Sequence, residues 1–119
     1  METNDRLYAL VRRIPRGFAM SYGALGRQID PPVGPRRVGL AMKGCPRNVP
    51  WQRVVRSGGR LADLPSLGGR SLQRKLLEKE GVYFDAGGRI RPEFLVMTLG
   101  RSKVLTKAGP RSRRPLKSQ

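Results

Sequence analysis

From Asp5 to Ile14 the apolar positions Leu7, Leu10, Val11 and Ile14 recur at intervals of three and four, the spacing of one buried helical face. Asn4 supplies an N-cap and Pro15 a stop, so the pattern predicts a first helix over residues 5–14. A second helix is expected to start at Ser21, a capping residue, and to run through Ile29. The run Asp30-Pro31-Pro32-Val33-Gly34 cannot be helical, because proline lacks the N–H and clashes with the preceding turn. Pro35 then sits in the favoured first position of a third helix reaching about Met42, with Val38 and Met42 on one side.

The pattern changes period after residue 50. Val54-Val55 and Leu61 flank Ser57-Gly58-Gly59, which predicts a short β-hairpin over Arg53 to Leu61. Asp63 to Gly69 reads as a loop, and Ser71 to Glu80 as an amphipathic helix burying Leu72, Leu76 and Leu77, stopped at Gly81. Tyr83-Phe84 and Ile90 flank Asp85-Ala86-Gly87-Gly88-Arg89, a second hairpin, while Phe94 to Leu99 is apolar without a period that fixes its type. Two short helices joined by a tight turn, the second opening with Arg36 and Arg37, suit a helix-turn-helix with a wing-like hairpin after it. The predicted fold is mainly α: a winged helix-turn-helix domain with short β-hairpins over residues 1–100, followed by a tail over 101–119. Few apolar groups and seven cations without an acid predict disorder for that tail.

Charge narrows the partner. The 119 residues carry 25 Lys+Arg against 8 Asp+Glu, a net charge of +17. With the tail set aside, 18 basic groups still face 8 acidic ones, so the body itself is suited to a polyanion such as nucleic acid. No apolar run of about 18 residues is present and the N-terminus is not signal-like, which predicts a soluble intracellular protein with no membrane partner. One cysteine and no histidine leave neither an internal disulfide nor an ordinary zinc ligand set, so no metal or cofactor is expected.

Four linked segments carry a family likeness: Ile14-Pro15-Arg16-Gly17 with Ser21-Tyr22-Gly23-Ala24-Leu25, Arg36-Arg37-Val38-Gly39-Leu40-Ala41-Met42, Val49-Pro50-Trp51-Gln52-Arg53-Val54-Val55, and Glu78-Lys79-Glu80-Gly81-Val82. Together, across roughly residues 6–90, they resemble the C-terminal domain of the O6-alkylguanine-DNA alkyltransferases. In that family a Pro-Cys-His-Arg-Val motif supplies the cysteine that accepts the alkyl group. Trp51 stands in the cysteine's place and Gln52 in the histidine's, which is similar to the alkyltransferase-like proteins. Those proteins bind the lesion without repairing it and are thought to hand it to nucleotide excision repair.

The resemblance implies a role for each matched position. Tyr22 would crowd the phosphate beside the target nucleotide and Arg36 would enter the stack in place of the extruded base. Gly39 and Ala41, with Gly44, would let the recognition helix approach the minor groove closely. Arg37, Lys43, Arg56 and Ser57 complete the expected DNA-binding set. A lesion pocket would comprise Trp51, Gln52, Val54, Val55, Leu67 and Gly68, with the main-chain carbonyls of Trp51 and Val54 reading the guanine edge. Leu67 falls where the repair enzymes carry a serine that bonds the guanine O6.

Chemistry agrees with the substitution. Alkyl transfer needs a thiolate and usually an adjacent base, whereas an indole offers a rigid apolar face with one N–H donor. No catalytic residue is therefore expected. The resemblance implies a non-enzymatic, monomeric sensor of O6-alkylguanine in double-stranded DNA that passes lesions to excision-repair proteins, located with the nucleoid in a bacterium or in the nucleus of a eukaryote. Two alternatives stay open: a sequence-specific winged-helix regulator, and an active alkyltransferase using Cys45.

Overall fold

A three-residue strand that the local pattern did not reveal organises the molecule. In the computed structural model, which describes residues 2–99, Ala19–Ser21 forms β1 at the centre of a three-stranded sheet. β2, Val54–Val55, pairs parallel to it through Met20 with Val54 and Ser21 with Val55. β3, Leu95–Val96, pairs parallel on the other edge through Ala19 with Leu95 and Met20 with Val96. The expected disordered tail, residues 101–119, lies outside the described residues.

Alternation along these strands separates two apolar clusters. Met20, Val54 and Val96 point into a main core with Leu7, Val11, Leu25, Val38 and Met42, while Ala19 and Val55 point into a second with Leu61, Leu77, Val82 and Ile90. Both faces of the small sheet are thus covered, as parallel strands require.

The helices cover the main core. α1 spans Thr3–Val11 and buries Leu7, Tyr8, Leu10 and Val11. It begins two residues before the expected Asp5, so Glu2 and not Asn4 occupies the N-cap, and it ends three residues before Ile14. The amides of Arg13 and Ile14 reach back only to Leu10 and Val11, a tighter winding that still leaves Ile14 fully buried. α2 is Tyr22–Gly26, capped as predicted by Ser21, whose hydroxyl accepts the Ala24 N–H at 3.1 Å. It stops short of Ile29.

α3, Pro35–Lys43, opens with its proline in the first turn and buries Val38, Ala41 and Met42. Between α2 and α3 the chain folds back so closely that Val33 N–H donates to the Gly26 carbonyl at 3.0 Å. A β-carbon on Gly26 would collide with the Val33 carbonyl, so this turn needs glycine for space. The predicted helix-turn-helix is present.

The first predicted hairpin is not. Arg56 N–H does bond the Arg60 carbonyl at 2.8 Å around a 3-10 turn at Ser57–Gly59, but Val54 and Val55 take β1 as their partner instead of Leu61. Sequence-local pairing lost to a strand more than thirty residues upstream, where both valines could be buried on opposite faces. The second hairpin holds, with an antiparallel bridge between Phe84 and Ile90. α4, Gly69–Lys79, also differs in its buried face: Gln73 and Leu77 are buried, Leu76 is half-buried and Leu72 is exposed.

Two polar knots tie these parts together. The Gln73 amide, fully buried, donates to the carbonyls of Gln52 and Val54 at 3.1 and 3.0 Å, and its oxygen accepts the Ala62 N–H at 3.0 Å. Glu80, whose side chain is 5% exposed, accepts from Arg53 at 3.0 and 3.1 Å, from Gln52 at 2.8 Å and from the Gly17 amide at 3.4 Å. Arg53 also donates to the Ile14 carbonyl at 2.8 Å.

Candidate functional site

A broad groove of about 1050 Å³ runs between α3 and the loops around Ser57 and Arg89. Six cations line it, Arg27, Arg36, Lys43, Arg56, Arg60 and Arg89, against one acid, Asp63. Such a channel concentrates positive potential and suits the backbone of a nucleic acid.

Of the expected DNA-binding residues, the groove brings together Tyr22, Arg36, Gly39, Lys43, Arg56 and Ser57. It leaves out Arg37, which is half-buried elsewhere on α3, and Ala41, which is buried with its carbonyl accepting the Tyr8 hydroxyl at 2.7 Å. Ala41 therefore faces the core rather than the groove. The surface available for close approach is Gly39, over which the Tyr22 ring packs, and beside it Leu40 stands 61% exposed. Arg27, Arg60 and Arg89 also line the groove; only the charge count hinted at them, since nothing in local spacing tells which arginines converge.

Tyr22 opens α2, held there by the Ser21 cap, and its ring lines the groove. Its hydroxyl is buried and has no hydrogen-bond partner among the described residues. Burial pushes its pKa up to about 12, with Arg56 opposing and Cys45 reinforcing the rise, so the phenol stays a proton donor at any physiological pH.

Trp51 heads a single 3-10 turn, Trp51–Arg53, that leads into β2. The indole is half-buried and packs against the main core, as does Leu67 on the neighbouring turn Pro65–Leu67. Neither lines the basic groove. Gln52 spends its amide on Glu80, and Val54 and Val55 are fully buried in β2. Gly68, exposed and left-handed at φ 112°, immediately precedes α4. Ser66 on the same loop donates to the Lys43 carbonyl at 3.3 Å, tying this loop to the end of α3.

The two carbonyls expected to read a guanine edge each hold a protein donor already. Trp51 accepts the Val54 N–H, and Val54 accepts the Gln73 amide at 3.0 Å. Each keeps one further lone pair for a ligand. Gln73 was invisible as a site residue in the sequence because a glutamine on a helix ordinarily faces water.

Cys45 is half-buried against the main core, and burial raises its thiol pKa, only partly offset by its backbone hydrogen bond. A thiolate is disfavoured there. Among the described residues no group of three or more His, Cys, Asp or Glu is placed to hold a metal ion.

The chain is similar to proteins of known family. The family model for the 6-O-methylguanine DNA methyltransferase DNA-binding domain matches residues 2–82. A DNA base-flipping protein of Thermus thermophilus is 44% identical over 78 residues, covering 64% of this chain and 50% of its own length, so the chain spans about half of that relative. Alkyltransferase-like protein 1 of Schizosaccharomyces pombe is 37% identical over 83 residues, covering 68% of this chain and 77% of its own. A methylated-DNA–protein-cysteine methyltransferase of Archaeoglobus fulgidus is 35% identical over 83 residues, 66% of this chain and 55% of the relative. Among solved structures, S. pombe Atl1 in complex with damaged DNA containing O6-carboxymethylguanine superposes with a TM-score of 0.66 at 32% identity, covering 80% of this chain and 97% of that one.

Proposed function

Since the chain belongs to the 6-O-methylguanine DNA methyltransferase DNA-binding-domain family, and within it to the alkyltransferase-like proteins, we propose that it is a non-enzymatic sensor of O6-alkylguanine in duplex DNA. It extrudes the damaged nucleotide into a pocket walled by Trp51 and marks the site for excision repair. The observation that carries the reading is the convergence of Tyr22, Arg36 and the bare Gly39 in one basic groove, in a chain whose Pro50-Trp51-Gln52-Arg53-Val54 resembles the transferases' Pro-Cys-His-Arg-Val motif.

Each residue's chemistry fits a step. A base leaves the stack at a cost of a few kcal/mol, and a guanidinium plane such as that of Arg36 can fill the gap it leaves. The Tyr22 hydroxyl has no partner among the described residues, so a small shift that opens it to the groove would let it donate to a phosphate oxygen. The indole of Trp51 offers a stacking surface for the extruded purine, and no thiolate is available to remove its alkyl group. The Gln52–Glu80 bond holds the Trp51–Arg53 turn in register with the end of α4.

Fluorescence titration of two duplexes that differ only by one O6-methyl group tests the reading. Tighter binding of the methylated duplex, with no transfer of a radiolabelled methyl to protein, is expected. Equal affinity for both removes the lesion-sensing role and favours a regulator that reads base sequence; label on the protein restores a transferase that uses Cys45.

A further inference from the structure

The groove has a second wall, part of which lies beyond the reach of the family match. That match ends at residue 82, yet Arg89, on the hairpin whose bridge joins Phe84 to Ile90, lines the groove together with Arg56 and Arg60. We propose that these three arginines form a preorganised site for the sugar-phosphate backbone of one DNA strand, opposite the wall formed by α3. The inference rests on the reading that the groove receives duplex DNA.

Two loops distant in sequence are knitted to present these side chains. Ile90, 2% exposed, anchors the hairpin in the second apolar cluster, and its N–H donates to the Gly59 carbonyl at 2.9 Å. Gly59 has φ +83°, a conformation open to glycine, and a β-carbon there would lie 2.8 Å from the Ile90 carbonyl oxygen. Only glycine lets the two loops abut.

On the 56–60 loop, the Arg56 N–H to Arg60 carbonyl bond at 2.8 Å closes the turn and fixes both arginines on its two arms. On the hairpin, one Asp85 carboxylate oxygen accepts the N–H groups of Gly87 and Arg89 at 2.9 and 3.0 Å, and Asp85 N–H donates to the Arg89 carbonyl at 2.8 Å. The backbone of Arg89 is thus held from both sides while its side chain stays exposed. A guanidinium on a fixed backbone spares the cost of ordering the main chain when it engages a phosphate, and its planar fork can bond two oxygens at once.

Arg74 and Arg91 are satisfied by Glu78 and Glu93, whereas no ion pair is formed by Arg56, Arg60 or Arg89 within the described residues.

The test compares the dependence of affinity on salt for the full chain, Arg60→Gln/Arg89→Gln, and Lys75→Gln, an exposed lysine of α4 outside the groove. Each lost phosphate contact lowers the slope of log K against log salt by about 0.9, so the double variant is expected to lose about 1.8 on both plain and methylated duplexes. The ratio of the two affinities should stay that of the parent. A slope matching the parent or Lys75→Gln overturns the proposal. A lost slope with no lesion preference in any protein overturns the sensing role while leaving this wall intact.

Preorganisation has its own control. Asp85→Ala and Asp85→Asn remove the same charge, but only the asparagine keeps an acceptor for the Gly87 and Arg89 amides. The alanine variant should bind plain duplex more weakly than the asparagine variant; equal affinities show that the hairpin geometry contributes nothing.

Discussion

Among the described residues the Tyr22 hydroxyl has no hydrogen-bond partner, and that makes it a sensitive probe of what the groove is for. A buried hydroxyl without a partner costs about 1 kcal/mol or more. Tyr22→Phe is therefore expected to leave thermal stability unchanged or raised by up to about 1 kcal/mol, while a hydrogen bond to a charged phosphate would be lost, lowering DNA affinity about tenfold. Parallel melting and titration experiments check the two signs; a variant that loses stability but not affinity has lost a packing group only. Because the pKa stands at about 12, this residue should contribute no pH dependence to binding below pH 10. Trp51→Ala separates lesion contact from core packing in the same way. The indole is half-buried, so some stability is lost, but stacking on an extruded base is worth about 1–3 kcal/mol and should appear as a selective loss on the methylated duplex. Proportional weakening on both duplexes would place Trp51 with the core.

Among the elements, the Trp51–Arg53 turn has almost no local reason to exist, and two knots from α4 and its end hold it. Gln73→Ala would strand the buried Val54 carbonyl, the part-buried Gln52 carbonyl and the Ala62 N–H, a loss of about 2–4 kcal/mol measurable by denaturant unfolding. Glu80 acts with a sign that pH can read. Burial alone would raise its pKa, but hydrogen bonds from Arg53 and Gln52, the Arg53 charge and the Gly17 amide more than reverse this and hold it below the usual glutamate range. Its contribution is thus complete above the unfolded value of about 4.3 and is lost as pH falls through the lower folded value. Glu80→Gln should be less stable at neutral pH and show a shallower loss of melting temperature on acidification; parallel acid titrations would refute the knot. The turn between α2 and α3 depends on space rather than charge. Gly26→Ala forces a β-carbon into the Val33 carbonyl and should cost about 1–3 kcal/mol.

Over the whole molecule the charge pattern sets how DNA is held. If the five groove cations other than Arg36 meet phosphates, affinity for plain duplex should fall about five-hundredfold between roughly 50 and 200 mM salt. Most of that loss would be shared by damaged and undamaged duplexes, because phosphate contacts carry no information about the base. Discrimination would then depend on extrusion and on the surface around Trp51, and the two duplexes should give parallel salt plots offset by a constant. Plots that converge at high salt would place the discrimination in the electrostatics.

Local signals along the chain determined the helix-turn-helix: the Ser21 cap, the prolines at 31, 32 and 35, and the helical spacing of Val38 and Met42 each act within a few residues. Resemblance to a known family marked Tyr22, Arg36 and Trp51 through their motifs, while local signals marked the 85–89 hairpin through its glycines. It could not supply β1, because a three-residue strand has too few positions to show a period and is defined only by partners at Val54 and Leu95. For the same reason Val54-Val55 read as half of a hairpin until the tertiary fold offered a strand that could bury both side chains. Nor could spacing show that Ala41 turns inward, that Gln73 is buried, or that Arg27, Arg60 and Arg89 join Arg36 in one groove. Short-range sterics and capping act through neighbours in sequence, whereas burial and the convergence of charge act through neighbours in space, and only the folded chain decides which those are.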